Sequence, residues 1–302
     1  MSDGGLPRIS LVTPSFNQGR FLEATLRSVL EQNYPNLEYI VVDGGSTDDS
    51  VAILGRYSDR LTWWVSEQDG GQTDAIRKGF SRATGEILNW LNSDDLLRSG
   101  ALRAVAEAYS ATGAEMIVGR DDMFRTDPDV PVARFVPSGY AFPDCLRFWD
   151  GSFRYHQPPT FFTRGLYRRA GGLDASLRYA MDYDLYCRML ALPETRVHYL
   201  DAVLAGFRIH SGAKTSRFKE AVLRELREVS QRYWPTEWRT SGVRRQMDRY
   251  CAECAVFQMA EALRDNSWGT AVSAFVSSCG YSMPHSLNFM ARRIMKTLIR
   301  VA

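Results

Sequence analysis

The sequence predicts an α/β fold, a doubly wound, mostly parallel Rossmann-like sheet followed by a helical C-terminal extension. Two observations predict it. Over the first half, short apolar runs alternate with stretches of helical period, the pattern of parallel strands joined by covering helices. Small polar clusters also fall where those strands end, at Thr13 to Asn17, Asp43 to Asp48 and Asn92 to Asp95. Ligands in such sheets bind at the carboxyl ends of the strands.

Each element has its own signal. Ile9 to Thr13 is a first strand, broken by Pro14, Asn17 and Gly19; Phe21, Leu22, Thr25, Leu26 and Val29 then share one face of a helix. Leu37 to Val42 is a second strand, closed by Gly44 and Gly45. Ser46 or Thr47 is placed to cap the next helix, with Asp48 and Asp49 in its first turn. Leu61 to Val65, Ile87 to Leu91 and Met116 to Gly119 supply further strands, separated by a helix reaching Ala83 and another over Ala101 to Tyr109. Residues 120–160 are rich in proline and aromatics without a period, and read as an insertion or mixed-sheet region. A helix starts near Asp182, and Arg196 to Ile209 reads as two short strands. From Lys219 the pattern is helical only, so a boundary is expected near Lys214, between a domain at 1–214 and an extension at 215–302.

Composition narrows the class. With 45% hydrophobic and 24% charged residues, the 302-residue chain is ordinary globular protein. A net charge of +2 gives no field that argues for nucleic acid. Five scattered cysteines make an odd count without framework spacing, which fits a reduced, cytoplasmic chain. The opening MSDGGLPRIS lacks the basic and apolar regions of a signal peptide, and no stretch approaches the roughly 18 apolar residues that span a bilayer. The expectation is a soluble protein, attached at most to a membrane surface.

Several ordered motifs stand along the chain: ISLVTPSFNQGRFLEATL, YIVVDGGSTDDS, SEQDGGQTDAIRKGF, GEILNWLNSDDLL, QPPTFFTR, GGLDASLRYAMDYDLYCRML and FRIHSGAKT. Together they resemble the family 2 glycosyltransferases, which have the GT-A fold, over roughly residues 8 to 215. Motifs matching in order are far more specific than any one alone. The resemblance implies inverting transfer from a nucleotide diphosphate-sugar donor to a hydroxyl of a glycan or lipid-linked acceptor, in polysaccharide or glycolipid biosynthesis. It also implies a divalent cation, Mn²⁺ or Mg²⁺. Residues 120–160 then suit an acceptor-facing role.

The residues bear individual readings beside that resemblance. A carboxylate at the end of an apolar strand, as at Asp43, must be solvated or paired, and bracing a loop is the plainer role. The resemblance makes Asp43 accept hydrogen bonds from the donor's base or ribose, with Thr13, Ser15 and Asn17 lining the same pocket. Gly70 and Gly71 would leave backbone N–H groups free for a phosphate or sugar. Gln72 and Asp74 then become donor contacts, while Arg77 and Lys78 face either the diphosphate or solvent.

Asn92-Ser93-Asp94-Asp95 follows the fourth strand, where the family shows D-x-D. Asn92 stands in the first acidic place and supplies an amide for a ribose hydroxyl or a metal-bound water, without charge. The metal is therefore assigned chiefly to Asp94, with Asp95 second or capping the following helix. His210, in a segment resembling the family's late-strand histidine, completes the metal or diphosphate site. Carboxylate oxygens with one imidazole suit Mn²⁺ or Mg²⁺.

Asp182 and Asp184 open an amphipathic helix, where acids are favoured electrostatically. Family members usually read Glu-Asp here, and the Asp is the catalytic base; Met181 replaces the Glu and Asp182 keeps the Asp. Cys251-x-x-Cys254 has no second pair and reads as packing. The last helix, from Pro284, carries a stripe of Leu287, Met290, Ala291, Ile294, Leu298 and Val301 beside Arg292, Arg293, Lys296 and Arg300. It either packs on the core or makes peripheral membrane contact through 285–302. Two rival readings are a sugar-phosphate nucleotidyltransferase and a non-catalytic nucleotide-sugar binding protein. The first needs a Gly-rich basic loop after the first strand, which Thr13 to Asn17 is not; turnover separates the second.

Overall fold

A computed structural model describes residues 5–213, 219–239, 241–264 and 268–301, with the side chains of 241, 264, 268, 288 and those from 291 onward outside the described set. The expected boundary at Lys214 falls outside the described residues, as does the basic half of the last helix's stripe.

The first half is the expected parallel sheet. Strands β1 (Ile9–Ser15), β2 (Leu37–Asp43), β3 (Trp63–Ser66) and β4 (Ile87–Trp90) run parallel in the order β3-β2-β1-β4. All seven residues of β1 are buried, because helices cover both faces. Alternate residues feed opposite cores. Leu11, Tyr39 and Val41 pack with Leu22 and Leu26 of α1 (Gly19–Leu30) and Leu54 of α2 (Ser50–Tyr57). Val12, Ile40 and Val42 pack with Ile76 and Phe80 of α3 (Gln72–Arg82).

The start of α2 differs from expectation. Neither Ser46 nor Thr47 caps it; the helix begins at Ser50. Asp48 instead accepts the N–H of Ser50 at 3.0 Å and that of Gly19 at 2.9 Å, so one carboxylate serves the N-termini of both α2 and α1. Ser46 is drawn to Asp43, described below.

Beyond β4 the sheet is mixed. The order continues β4-β8-β6-β9-β5, with β5 at Leu96–Leu97, β6 at Met116–Phe124, β8 at Thr160–Thr163 and β9 at Val197–Arg208. Strand β8 is antiparallel to both β4 and β6, β9 is parallel to β6, and β7 (Ala133–Phe135) is paired to the far half of β6. Helices α4 (Ala101–Thr112), α5 (Arg164–Arg169) and α6 (Met181–Ala191) complete this region. Strand β6 runs past the expected Gly119, into the region read as an insertion or mixed sheet, because Asp121 and Asp122 are buried and paired. Arg196 to Ile209 is one bulged strand rather than two, its register shifting around Arg120 of β6.

The C-terminal helices are α7 (Lys219–Arg232), α8 (Ser241–Arg264) and α9 (Trp268–Val301). They extend the same core as the sheet: Leu223, Val229, Trp234, Met247 and Cys251 pack in one cluster with Trp90, Phe162 and Tyr183. Cys251 is buried there, its thiol pushed up to about 12 by burial, as an inert packing residue. Helix α9 breaks at Ser282, and Pro284 begins its second segment.

Candidate active site

The polar clusters expected at strand ends do gather along one edge of the sheet. Asp43, at the end of β2, is fully buried. Its carboxylate accepts Ser46 N–H (2.8 Å), Ser46 Oγ (2.6 Å) and Ser66 Oγ (2.7 Å). Asn17 sits at φ 51° and fastens the neighbouring loop, its Oδ1 accepting the N–H of Thr47 at 2.8 Å while its own N–H meets Ser46 Oγ at 2.7 Å. Thr13 is buried, with its hydroxyl 3.0 Å from that of Tyr39 in the core. Ser15 Oγ is buried without a hydrogen-bond partner. Asp43 and Asn17 are thus engaged by the protein itself, and Ser15 carries the uncommitted polar atom of this group.

The loop before α3 departs from expectation. The N–H of Gly71 is accepted by Asp69 (2.8 Å) and that of Gly70 by Asp74 (3.1 Å). These amides are not free for a phosphate: carboxylates already occupy the helix N-terminus, where partial positive charge favours them. Burial, with Asp74 and Asp43 nearby, pushes the Asp69 carboxyl up. Lys78 is ion-paired to Glu67 at 2.7 Å, whereas Arg77 is exposed. Gln72 points to the next cluster, donating to Asn92 Oδ1 at 2.6 Å.

That cluster unites residues from four parts of the chain. Asn92 Nδ2 donates to Asp95 Oδ2 at 3.3 Å. Asp95 is not a helix cap, since α4 starts only at Ala101. Its buried carboxyl accepts the N–H of Arg208 at 2.9 Å, and burial together with the Asp94 charge pushes it well above the usual carboxylate range. Asp94 faces outward instead and meets His210, Oδ2 to Nε2, at 2.9 Å. Arg208 donates to the Asp94 carbonyl at 2.9 Å and lies over the rings of Phe21 (4.7 Å) and Phe124 (4.5 Å). Asp94 and His210 offer the donor types a hard divalent cation accepts. Their 2.9 Å separation is near the roughly 3 Å between adjacent ligands of an octahedral ion bound at about 2.1 Å. Among the described residues no group of three or more His, Cys, Asp or Glu side chains could hold a metal ion.

Asp182 lies at the first turn of α6. Its carboxyl is half-buried, and burial raises its pKa to about 6; hydrogen bonding by the Tyr183 N–H and the field of His156 act against that rise. Tyr140, Tyr155 and Tyr186 feel its charge in turn. Asp184 has a different setting. It is fully buried, bonded by Arg188 at 2.6 and 2.9 Å and by the Tyr233 hydroxyl at 2.9 Å. It holds α6 to the C-terminal helices.

Sequence reasoning missed a dyad beside this site. Asp121 of β6 is fully buried, and both its oxygens lie within 3.1 Å of His156 Nδ1. The His156 ring is stacked on Phe135 at 3.6 Å. His156 immediately precedes the Gln157-Pro158-Pro159 motif, and Gln157 donates to Asn89 Oδ1 (2.9 Å) and the Trp90 carbonyl (2.6 Å). The motif thereby ties His156 to the end of β4. A histidine next to a recognised motif was the available signal.

A parallel half-sheet joined to a mixed half, with a carboxylate–imidazole pair at the junction, is the GT-A arrangement. The chain belongs to glycosyltransferase family 2: the Glycosyl transferase family 2 signature matches residues 10–159. The Mycobacterium tuberculosis glycosyltransferase Rv1514c is 32% identical over 224 residues, covering 74% of this chain and 83% of that protein. Among solved structures, Staphylococcus aureus TarS 1-349 in complex with UDP-GlcNAc superposes with a TM-score of 0.59 at 14% identity, covering 89% of this chain and 91% of that one. The mannosyltransferase PcManGT from Pyrobaculum calidifontis, in complex with GDP-Man and Mn²⁺, superposes at 0.54 and 18% identity, covering 100% of this chain and 82% of that one. Both share the fold.

Proposed function

We propose that this family 2 glycosyltransferase moves a sugar from a nucleotide diphosphate-sugar to an acceptor hydroxyl with inversion, and that Asp182 is the general base. The observation that carries this reading is the contrast within α6. Asp184 is buried and fully bonded, whereas Asp182 is half-buried with a pKa of about 6. A carboxyl so poised is largely ionised at neutral pH yet basic enough to take a hydroxyl proton. As it does so, the acceptor oxygen attacks the anomeric carbon from the face opposite the nucleotide, the glycosidic bond forms, and the bond to the diphosphate breaks. His156, paired with Asp121, is near enough for its charge to act on Asp182, and we read this dyad as orienting the incoming hydroxyl.

Asp94 and His210 would hold a Mn²⁺ or Mg²⁺ ion, which when bound neutralises charge on the leaving diphosphate. Ser15, Asn92 and Gln72 border the donor's place, and Asp43 with Asn17 shapes the loops around it. The acceptor is read as a glycan or lipid-linked molecule. Among the described residues no helix is long and apolar enough to cross a membrane. Contact at the membrane surface through 285–302 is supported by Leu287, 51% exposed, and is tested by pelleting with anionic vesicles before and after that segment is deleted.

Turnover tests the reading as a whole. With Mn²⁺ and the matching donor, release of nucleoside diphosphate should exceed background many-fold and rise further with acceptor. Tight donor binding without release, across UDP- and GDP-sugars and a set of glycan and lipid acceptors, would make the chain a non-catalytic binding protein.

A further inference from the structure

We propose that Glu225, on α7 of the C-terminal extension, is a positioning residue for Asp182; this rests on the reading of Asp182 as the base. Helix α6 starts at Met181, and its N-cap, Ala180, makes no side-chain cap bond, so the entry to the helix is fixed by the chain that leads into it. Glu225 reaches in from α7 and takes the N–H groups of Arg178 (3.2 Å), Tyr179 (2.8 Å) and Ala180 (2.9 Å). Hydrogen bonds to an ionised acceptor are about twice as strong as neutral ones. At 8% exposure, this carboxylate holds the three residues that lead directly into Met181 and Asp182.

The grip passes on to the base. The carbonyl of Ala180 accepts the N–H of Asp184 at 2.9 Å, so the turn that carries Asp182 is pinned at the residue Glu225 holds. From the opposite side, Thr73 Oγ1 of α3 donates to the carbonyl of Leu177 at 2.8 Å, one residue away from Gln72 on the donor side. The segment 177–180 is thus clamped between the donor-side helix and the C-terminal extension. Through it Glu225 fixes the reach of Asp182 toward an acceptor bound against the donor. The position of the missing first acid, Met181, is buried, and the nearby negative charge comes instead from Glu225.

The test is a mutant cycle on the full chain, with transfer kinetics and donor affinity read together. Glu225→Ala should lower kcat by about 10- to 100-fold, the scale of a small misplacement, and leave donor KM within about two-fold. In an Asp182→Asn background the same substitution should change the residual rate by less than about two-fold, since its effect is exerted through Asp182. Glu225→Gln keeps an accepting oxygen but removes the charge, so it should recover most of kcat. The groups whose charge bears on Asp182 include His156 before β8, Glu225 of α7, Tyr140 and Tyr155 of the 136–159 segment, and Tyr186 of its own helix. Only the Glu225 charge changes, and its loss should move the acidic limb of the rate profile to lower pH. A folded Glu225→Ala enzyme with full kcat overturns the proposal, as does an equal loss in the Asp182→Asn background. If Glu225→Ala fails to melt cooperatively, Glu225→Gln decides, and an unshifted acidic limb overturns it. Normal transfer by Asp182→Asn alone would instead remove the base reading beneath it.

Discussion

His210 Nε2 lies 2.9 Å from Asp94 Oδ2, joining the end of β9 to the loop after β4 across 116 residues of sequence. Arg20 stands 3.2 Å from the other ring nitrogen, Nδ1. A guanidinium can only donate, so Nδ1 accepts and Nε2 carries the proton given to Asp94. Capture of a cation by Nε2 must therefore shift that proton to Nδ1 and free Arg20. Arg20→Met should strengthen Mn²⁺ binding several-fold, by about the worth of one charge-assisted hydrogen bond. Metal-titrated thermal shift reads it. Chelation should abolish transfer and added Mn²⁺ or Mg²⁺ restore it; full activity in excess chelator sinks the metal role.

Asn92 explains its own departure from the family pattern. It accepts from Gln72 and donates to Asp95, so an acid there would set two carboxylates against each other. Asn92→Asp should lower the melting temperature without metal, by a like-charge cost on the order of 1 kcal/mol, and bind Mn²⁺ more tightly. An unchanged melt with and without Mn²⁺ contradicts this.

The raised carboxyl of Asp182 links activity and stability to pH. Its native pKa is about 6 against an ordinary value of 3.8, so the folded state holds a proton that the unfolded chain releases earlier. The sign follows: between those two values stability falls as pH rises, and the loss is complete above pH 6. Transfer should fall as pH drops through about 6, because the protonated acid cannot accept a proton. Asp182→Asn should raise stability near pH 7 by at most about 2 kcal/mol, less in proportion to its solvent contact, and hardly change it at pH 4. Denaturant titrations at the two pH values check it.

Asp184 should behave oppositely. Asp184→Asn removes the charge that serves Arg188 and Tyr233, and should destabilise the chain by about 3 kcal/mol. Urea unfolding measures the loss, while donor affinity, read by calorimetry, should stay within two-fold. A neutral Asp184→Asn would mean that α6 is held by other contacts.

The parallel half of the fold was legible because its signals are local: apolar strands, glycine breaks and helical stripes repeat in order from Ile9 to Trp90. The mixed half was not. Asp121 and Asp122 show no strand signal on their own, because the partners that neutralise them inside the strand, His156 and Arg134, lie 35 and 12 residues further on. The candidate site residues were legible only as positions in or near strand ends and helix starts. Their bonding was not, because Asp48, Asp69 and Asp74 cap backbone N–H groups in loops that the sequence leaves open. Glu225 had no signal at all: its ligands are backbone amides 45 to 47 residues away.

Asp182 as the base is the claim on which the rest depends, and one paired measurement tests it most directly. Asp182→Asn keeps the size and polarity of the side chain but cannot accept a proton. Donor affinity by calorimetry, together with the transfer rate to a competent acceptor, should show unchanged binding and a rate lower by roughly 10²–10⁴-fold. Transfer at the wild-type rate, or loss of donor binding along with activity, would contradict the assignment.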